Sequence, residues 1–138
     1  MDFTAELFNL LDKANGYTEM NEIQKKEVLL KIDQQWDDLP EAKLECNEKS
    51  KLALFMTNSA LGLSMLDMAD KWTDILLMDR LDNPIEVGMY KGEMAFTRKN
   101  YVEAFIHFKM AYDAGGQHVF KGSDPAYFDL YKNPEKYM

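Results

Sequence analysis

Cysteine is almost absent from this chain. The single Cys46 permits no internal disulfide and lacks the clustering that a metal site needs, and it fits a reducing compartment. Proline and glycine are scarce too, four and seven in 138 residues, and no low-complexity segment appears. So few turn formers favour helices over strands. Basic residues are outnumbered, 16 Lys and Arg against 24 Asp and Glu, for a formal charge of −8. That balance argues against nucleic acid or an anionic membrane as the main partner and would attract a basic one. Long apolar runs are missing as well. The opening MDFTAELFNLL carries Asp2 and Glu6 and no basic n-region, so neither a secretory signal nor a membrane span is expected, and the cytoplasm is the default location.

What the chain does have is apolar side chains in quantity. Hydrophobic residues make up 46% of it, with eight Phe, seven Tyr, two Trp and ten Met, enough to build a core without disulfides or metals. The length fits one domain, residues 1–138. Phe3, Leu7, Leu10 and Leu11 mark one face of a first helix, stopped by Asn15-Gly16. Val28, Leu29, Ile32 and Trp36 give a second from about Glu19 to Asp37. Asp38-Leu39-Pro40-Glu41 reads as a helix start, an acidic cap followed by proline in the first turn. Residues 41–66 are one helix or two, since Glu48-Lys49-Ser50 could break or kink them. Leu52, Phe55, Met56, Leu63 and Leu66 mark the apolar face there, and a helix from Met68 to Leu81 carrying Ala69, Trp72, Ile75 and Leu76 follows.

The densest pattern lies in KGEMAFTRKNYVEAFIHFKMAYDA, Lys91 to Ala114. Small residues at Gly92, Ala95, Ala104 and Ala111 alternate with aromatic ones at Tyr101 and Phe108, and Lys99-Asn100 makes a turn between two helices. Sterically, a small residue leaves room where helices cross and an aromatic fills what is left. These residues and intervals resemble the tetratricopeptide repeat. The resemblance is clear over residues 85–114. A second hairpin over residues 50–82 is either a degenerate copy or only a similar hairpin, with Gly62 and Trp72 standing where Gly92 and Tyr101 stand. Asp82-Asn83-Pro84 closes it. Gly115-Gly116 ends the clear repeat, and Ser123-Asp124-Pro125 caps a terminal helix whose Tyr127, Phe128, Leu130 and Tyr131 would cover the open end of the stack. The expected fold is therefore all-α: a short stack of antiparallel hairpins, six to seven helices, ending in a capping helix.

No stretch announces a reaction. His107 and His118 have no partners at metal spacing, there is no GxSxG, CxxC or phosphate-cradling loop, and the abundant carboxylates fit a solvated acidic face. Neither an enzyme nor a cofactor or metal is expected. Two acidic runs stand out: Asp37, Asp38, Glu41, Glu45 and Glu48 around Lys43, and Asp67, Asp70, Asp74, Asp79 and Asp82 with Lys71 and Arg80. They are either a solvated outer face or a negative field for a basic ligand.

Tetratricopeptide proteins bind partners along a concave surface lined by the first helix of each repeat. The resemblance implies Met89, Glu93, Phe96 and Thr97 as lining residues, with Ser59 and Leu63 as their counterparts in the weaker hairpin. The segment GGQHVFKGSDPAYFDLYKNP resembles the ending of short tetratricopeptide proteins encoded beside polymorphic toxins. It implies an immunity protein that occludes a cognate toxin, with a basic toxin domain as partner. The alternatives are a tetratricopeptide secretion chaperone and a general scaffold or adaptor. Short repeat stacks have open ends, which also makes a homodimer an expectation.

Overall fold

A computed structural model describes residues 3–138, and among them there is no strand. Seven α-helices follow one another: α1 (Thr4–Asp12), α2 (Glu22–Asp38), α3 (Lys49–Gly62), α4 (Leu66–Leu77), α5 (Pro84–Thr97), α6 (Tyr101–Gly115) and α7 (Pro125–Lys132). Short 3-10 turns fill Tyr17–Glu19, Glu41–Glu45, Gly116–Phe120 and Pro134–Lys136. The chain divides between Leu76 and Leu77 into two compact units.

Local chemistry sets the helix starts. Asn21 and Gln24 form a reciprocal capping box, so α2 begins at Glu22, three residues later than its apolar period suggests, and Tyr17–Glu19 stays a separate turn. Asn83, Asn100 and Asp124 each accept backbone N–H bonds at the starts of α5, α6 and α7, with proline first in α5 and α7. The expected start at Asp38 is corrected. Asp38 is the last residue of α2, Leu39 and Pro40 are extended, and the segment beyond forms only a 3-10 turn. The Lys43 amine folds back to donate to the Trp36 carbonyl, which holds that turn against the end of α2. Residues 41–66 therefore contain one α-helix, α3, which begins at Lys49 within the expected break.

Ser64 ends α3 in the left-handed region, φ 58°, with the Met65 N–H bonded back to the Ala60 carbonyl. α4 then starts at Leu66 and stops at Leu77, short of Leu81, which is 70% exposed. In the first unit, Leu7 and Leu10 of α1, Leu29, Ile32 and Trp36 of α2, Leu52 and Met56 of α3 and Trp72 of α4 are buried. Phe55 lies at the margin, its ring edge-on to Tyr17 at 5.1 Å.

The second unit is built on the α5–α6 hairpin. Its antiparallel course is fixed by three glycines that face side chains or backbone on the opposite helix or just beyond it. A β-carbon on Gly88 would lie 2.5 Å from the His107 carbonyl oxygen, one on Gly92 2.4 Å from the Phe108 ring, and one on Gly115 2.8 Å from Ile85. Lys99, at φ 64°, turns the chain between the helices. Ala104, Phe108 and Ala111 are fully buried. The expected equivalence of Gly62 with Gly92 fails, because Gly62 ends its helix and a β-carbon there meets nothing within 4 Å. α7 packs its aromatics onto the hairpin. Tyr127 lies 5.0 Å from Phe96 and 5.2 Å from Phe108, and Tyr131 lies 4.5 Å from Tyr112. Phe120 and Leu130 close the core beneath them.

Candidate partner-binding surface

On α2, Asp33 and Asp37 stand one turn apart and so share a face. Lys71 on α4 reaches both: its Nζ lies 2.9 Å from Asp33 Oδ1 and 2.7 Å from Asp37 Oδ1. The neighbouring Trp72 donates from its indole nitrogen to the same Asp33 oxygen at 2.8 Å. Beneath this clasp the Trp36 and Trp72 rings meet at 5.1 Å, and the Lys43 ammonium lies 4.6 Å from the centre of the Trp36 ring. Two indoles and Lys71 thus join the C-terminal half of α2 to α4, while Lys43 caps Trp36 from the following turn.

The electrostatics follow from these contacts. Burial alone would lower the Lys71 pKa, but hydrogen bonds to Asp37 and Asp33 and their charges outweigh it and raise the value, so Lys71 stays a cation. Lys43 shifts the other way, lowered chiefly by burial and only partly offset by Asp37.

The clasp has a further result. Asp67, Lys71 and Asp74 are neighbours on one face of α4, with Asp70 beside them. Holding Lys71 against Asp37 therefore sets the carboxylates of α4 beside those at the end of α2. Asp37, Asp38 and Glu41 are exposed, as are Asp67 and Asp74, while Asp70 is half-buried. The α2 end of one acidic run and the α4 part of the other are thus brought near each other, with Lys71 engaged between them. Asp79 and Asp82 belong to the second unit.

The residues implied by the repeat resemblance are placed differently. Met89 and Phe96 pack against the aromatic cluster of the second unit, where Phe96 meets Tyr101 edge-on at 5.3 Å as well as Tyr127. Glu93 accepts a hydrogen bond from the Tyr127 hydroxyl at 3.3 Å. Its pKa is raised, first by burial and then by Asp124, with the Tyr127 bond working in the opposite direction. The Tyr127 hydroxyl is pushed well above its usual range by burial and by Glu93. Thr97 spends its hydroxyl on the Glu93 carbonyl. This face of α5 lies under α7 rather than lining an open groove. Ser59 is half-buried on α3, and Leu63 borders a separate open cleft with Glu22, Lys25 and Lys26. Of the expected site residues, only Asp67, Asp70 and Asp74 lie at the joined acidic surface.

Sequence reasoning missed Asp33 and the role of Lys71. The signal was faint: an aspartate pair one turn apart around Trp36, and a Lys-Trp pair on a later helix. Nothing in either segment specifies the other. His107 is half-buried, with burial lowering its pKa and Glu103 working against that, and His118 is exposed. Among the described residues no group of three or more His, Cys, Asp or Glu side chains is placed to hold a metal ion, and no helix is long and apolar enough to cross a membrane. Comparison with protein-family models, with curated proteins and with solved structures finds nothing that matches this chain.

Proposed function

We propose that this protein is a cytoplasmic protein-binding protein of the immunity type, which blocks a cognate toxin by covering a basic cleft with the acidic surface of α2 and α4. The observation that supports the reading is the Lys71 clasp. It ties α4 to α2, far apart in sequence, and the two helices carry exposed carboxylates, Asp37 and Asp38 on α2 and Asp67 and Asp74 on α4.

A negative field of this kind speeds encounter with a positively charged partner and orients it on approach. Because the two indoles and Lys71 already join the helices, little ordering remains to oppose binding. Occlusion needs no reacting group, only a surface that excludes substrate from the toxin. The likeness of the α5–α6 hairpin to a tetratricopeptide repeat and the ending of the chain are in keeping with this class.

The secretion-chaperone reading is weaker, because the α5 side chains that a chain-binding groove would offer are packed beneath α7. A scaffold or adaptor would use several surfaces at once. Co-expression with a candidate toxin, sought beside the gene, tests the proposal. Growth should be restored by the wild-type chain and lost with the triple reversal Asp37→Lys, Asp67→Lys and Asp74→Lys. Toxicity that is undiminished by the wild type overturns it.

A further inference from the structure

On α6 one face is left uncovered. Val102, Ile106 and Met110 follow one another at single-turn spacing and are 56%, 53% and 36% exposed, an apolar row on a helix whose opposite side is fully buried. Such a row, with charged residues at its rim, marks an interaction site more often than an isolated exposed side chain does. The rim decides what fits. The chain as a whole carries −8, so most of its surface repels another copy. Here Glu103 and Asp113 are balanced by Lys109 and by Lys99 in the preceding turn. Lys109 and Asp113 already pair along the helix at 2.7 Å, which keeps this face near neutrality.

We infer that α6 is the contact between two copies of this chain, packed antiparallel about a two-fold axis through Ile106. That arrangement sets Ile106 against its own copy and Val102 level with Met110 of the other chain. It also brings Glu103 level with Lys109 and Asp113 level with Lys99, so opposite charges share each level. A parallel pairing would put Glu103 on Glu103 and Lys109 on Lys109. A closed two-fold contact of this kind uses one patch on both copies. The inference is independent of the acidic surface, which lies on the other unit.

A 15-residue helix is roughly 22 Å long, so its face falls short of the ~800 Å² per partner of a standard interface, and the dimer should be weak, on the order of 10–100 μM. Sedimentation velocity from about 5 to about 500 μM, a range that brackets such a constant, should show a monomer passing to a dimer. Ile106→Lys, at an exposed position, should abolish the dimer while leaving the helical circular dichroism unchanged. Glu103→Lys should weaken association about tenfold, and adding Lys109→Glu should restore it. Under oxidation Ile106→Cys should cross-link two chains and Val102→Cys should not. Cys46 is buried and does not compete. A monomer at every concentration, a dimer that survives Ile106→Lys, or cross-linking by Val102→Cys overturns the inference.

Discussion

Replacing Gly88 with alanine adds one methyl group where α5 crosses α6. The new carbon would stand 2.5 Å from the His107 carbonyl oxygen, 2.9 Å from Ala111 Cβ and 3.0 Å from the Ala111 nitrogen. Two of these three are backbone atoms, so no side-chain rotation relieves the clash. The helices must separate by roughly 1 Å to reach ordinary contact distances of ~3.5 Å. Overpacking of this sort costs about 1–3 kcal/mol, and the upper end applies because the hairpin also carries the tight contacts at Gly92 and Gly115. Against it, alanine is favoured over glycine in a helix interior by ~1 kcal/mol. The net loss is about 2 kcal/mol, or roughly 6–12 °C in the midpoint of a thermal melt followed by far-UV circular dichroism. Gly62→Ala is the matched control. Its site is open and its φ is not positive, so the same exchange should stabilise by ~0.4–1 kcal/mol. A Gly88→Ala protein that melts at or above the wild-type temperature would refute the packing argument.

Three further outcomes follow from single side chains. Burial holds the Glu93 pKa above its ordinary value of 4.5, so between that value and its folded-state pKa the folded protein binds a proton that the unfolded chain has released, and stability falls as pH rises through the window. Glu93→Gln keeps an acceptor for Tyr127 and should flatten that decline in urea titrations, leaving the variant at least as stable as wild type at neutral pH; a variant destabilised more at neutral than at acidic pH contradicts this. The hydroxyl of Thr57 is buried without a partner among the described residues, so Thr57→Val should be neutral or stabilising by up to ~1 kcal/mol in the same titration, where an unsatisfied hydroxyl helps nothing; a clear loss would mean the hydroxyl has a partner. Lys71→Met removes the clasp but spares the Trp72 bond to Asp33, and should lower stability by about 1 kcal/mol, with the deficit shrinking at high salt as screening weakens the wild-type ion pairs.

The sequence was most informative where structure is set by neighbours in the chain. The turn at Lys99-Asn100, the stop at Gly115-Gly116 and the start at Ser123-Asp124-Pro125 depend on backbone propensities and local caps, and they stand where the residues imply. The all-α class follows from the same signals summed. Reasoning failed where a distant group took over a local preference. Asp38 has the chemistry of a cap, but it is the last residue of α2, whose end Lys43 covers by donating to the Trp36 carbonyl. Gly62 and Gly92 look alike in sequence, and only the presence of Phe108 opposite one of them gives it a packing role. Gly88, with the closest backbone approach in the hairpin, carried no signal, because nothing in its own segment reveals what it faces.

The candidate surface divides in the same way. The acidic runs are visible as composition, whereas the approach of α4 to α2 depends on Lys71 bonding to residues 38 and 34 positions earlier. The face of α5 implied by resemblance is occupied internally because α7 folds over it, which required knowing where Tyr127 lands.

The acidic surface is tested most directly by the rate at which the protein associates with the toxin proposed as its partner as ionic strength is varied. If carboxylates of α2 and α4 steer the encounter, raising salt from about 20 mM to about 500 mM should slow wild-type association by tenfold or more. The Asp37→Lys, Asp67→Lys, Asp74→Lys protein should associate slowly at low salt and lose that dependence. Association that is equally fast for both proteins, and indifferent to salt, would contradict the account.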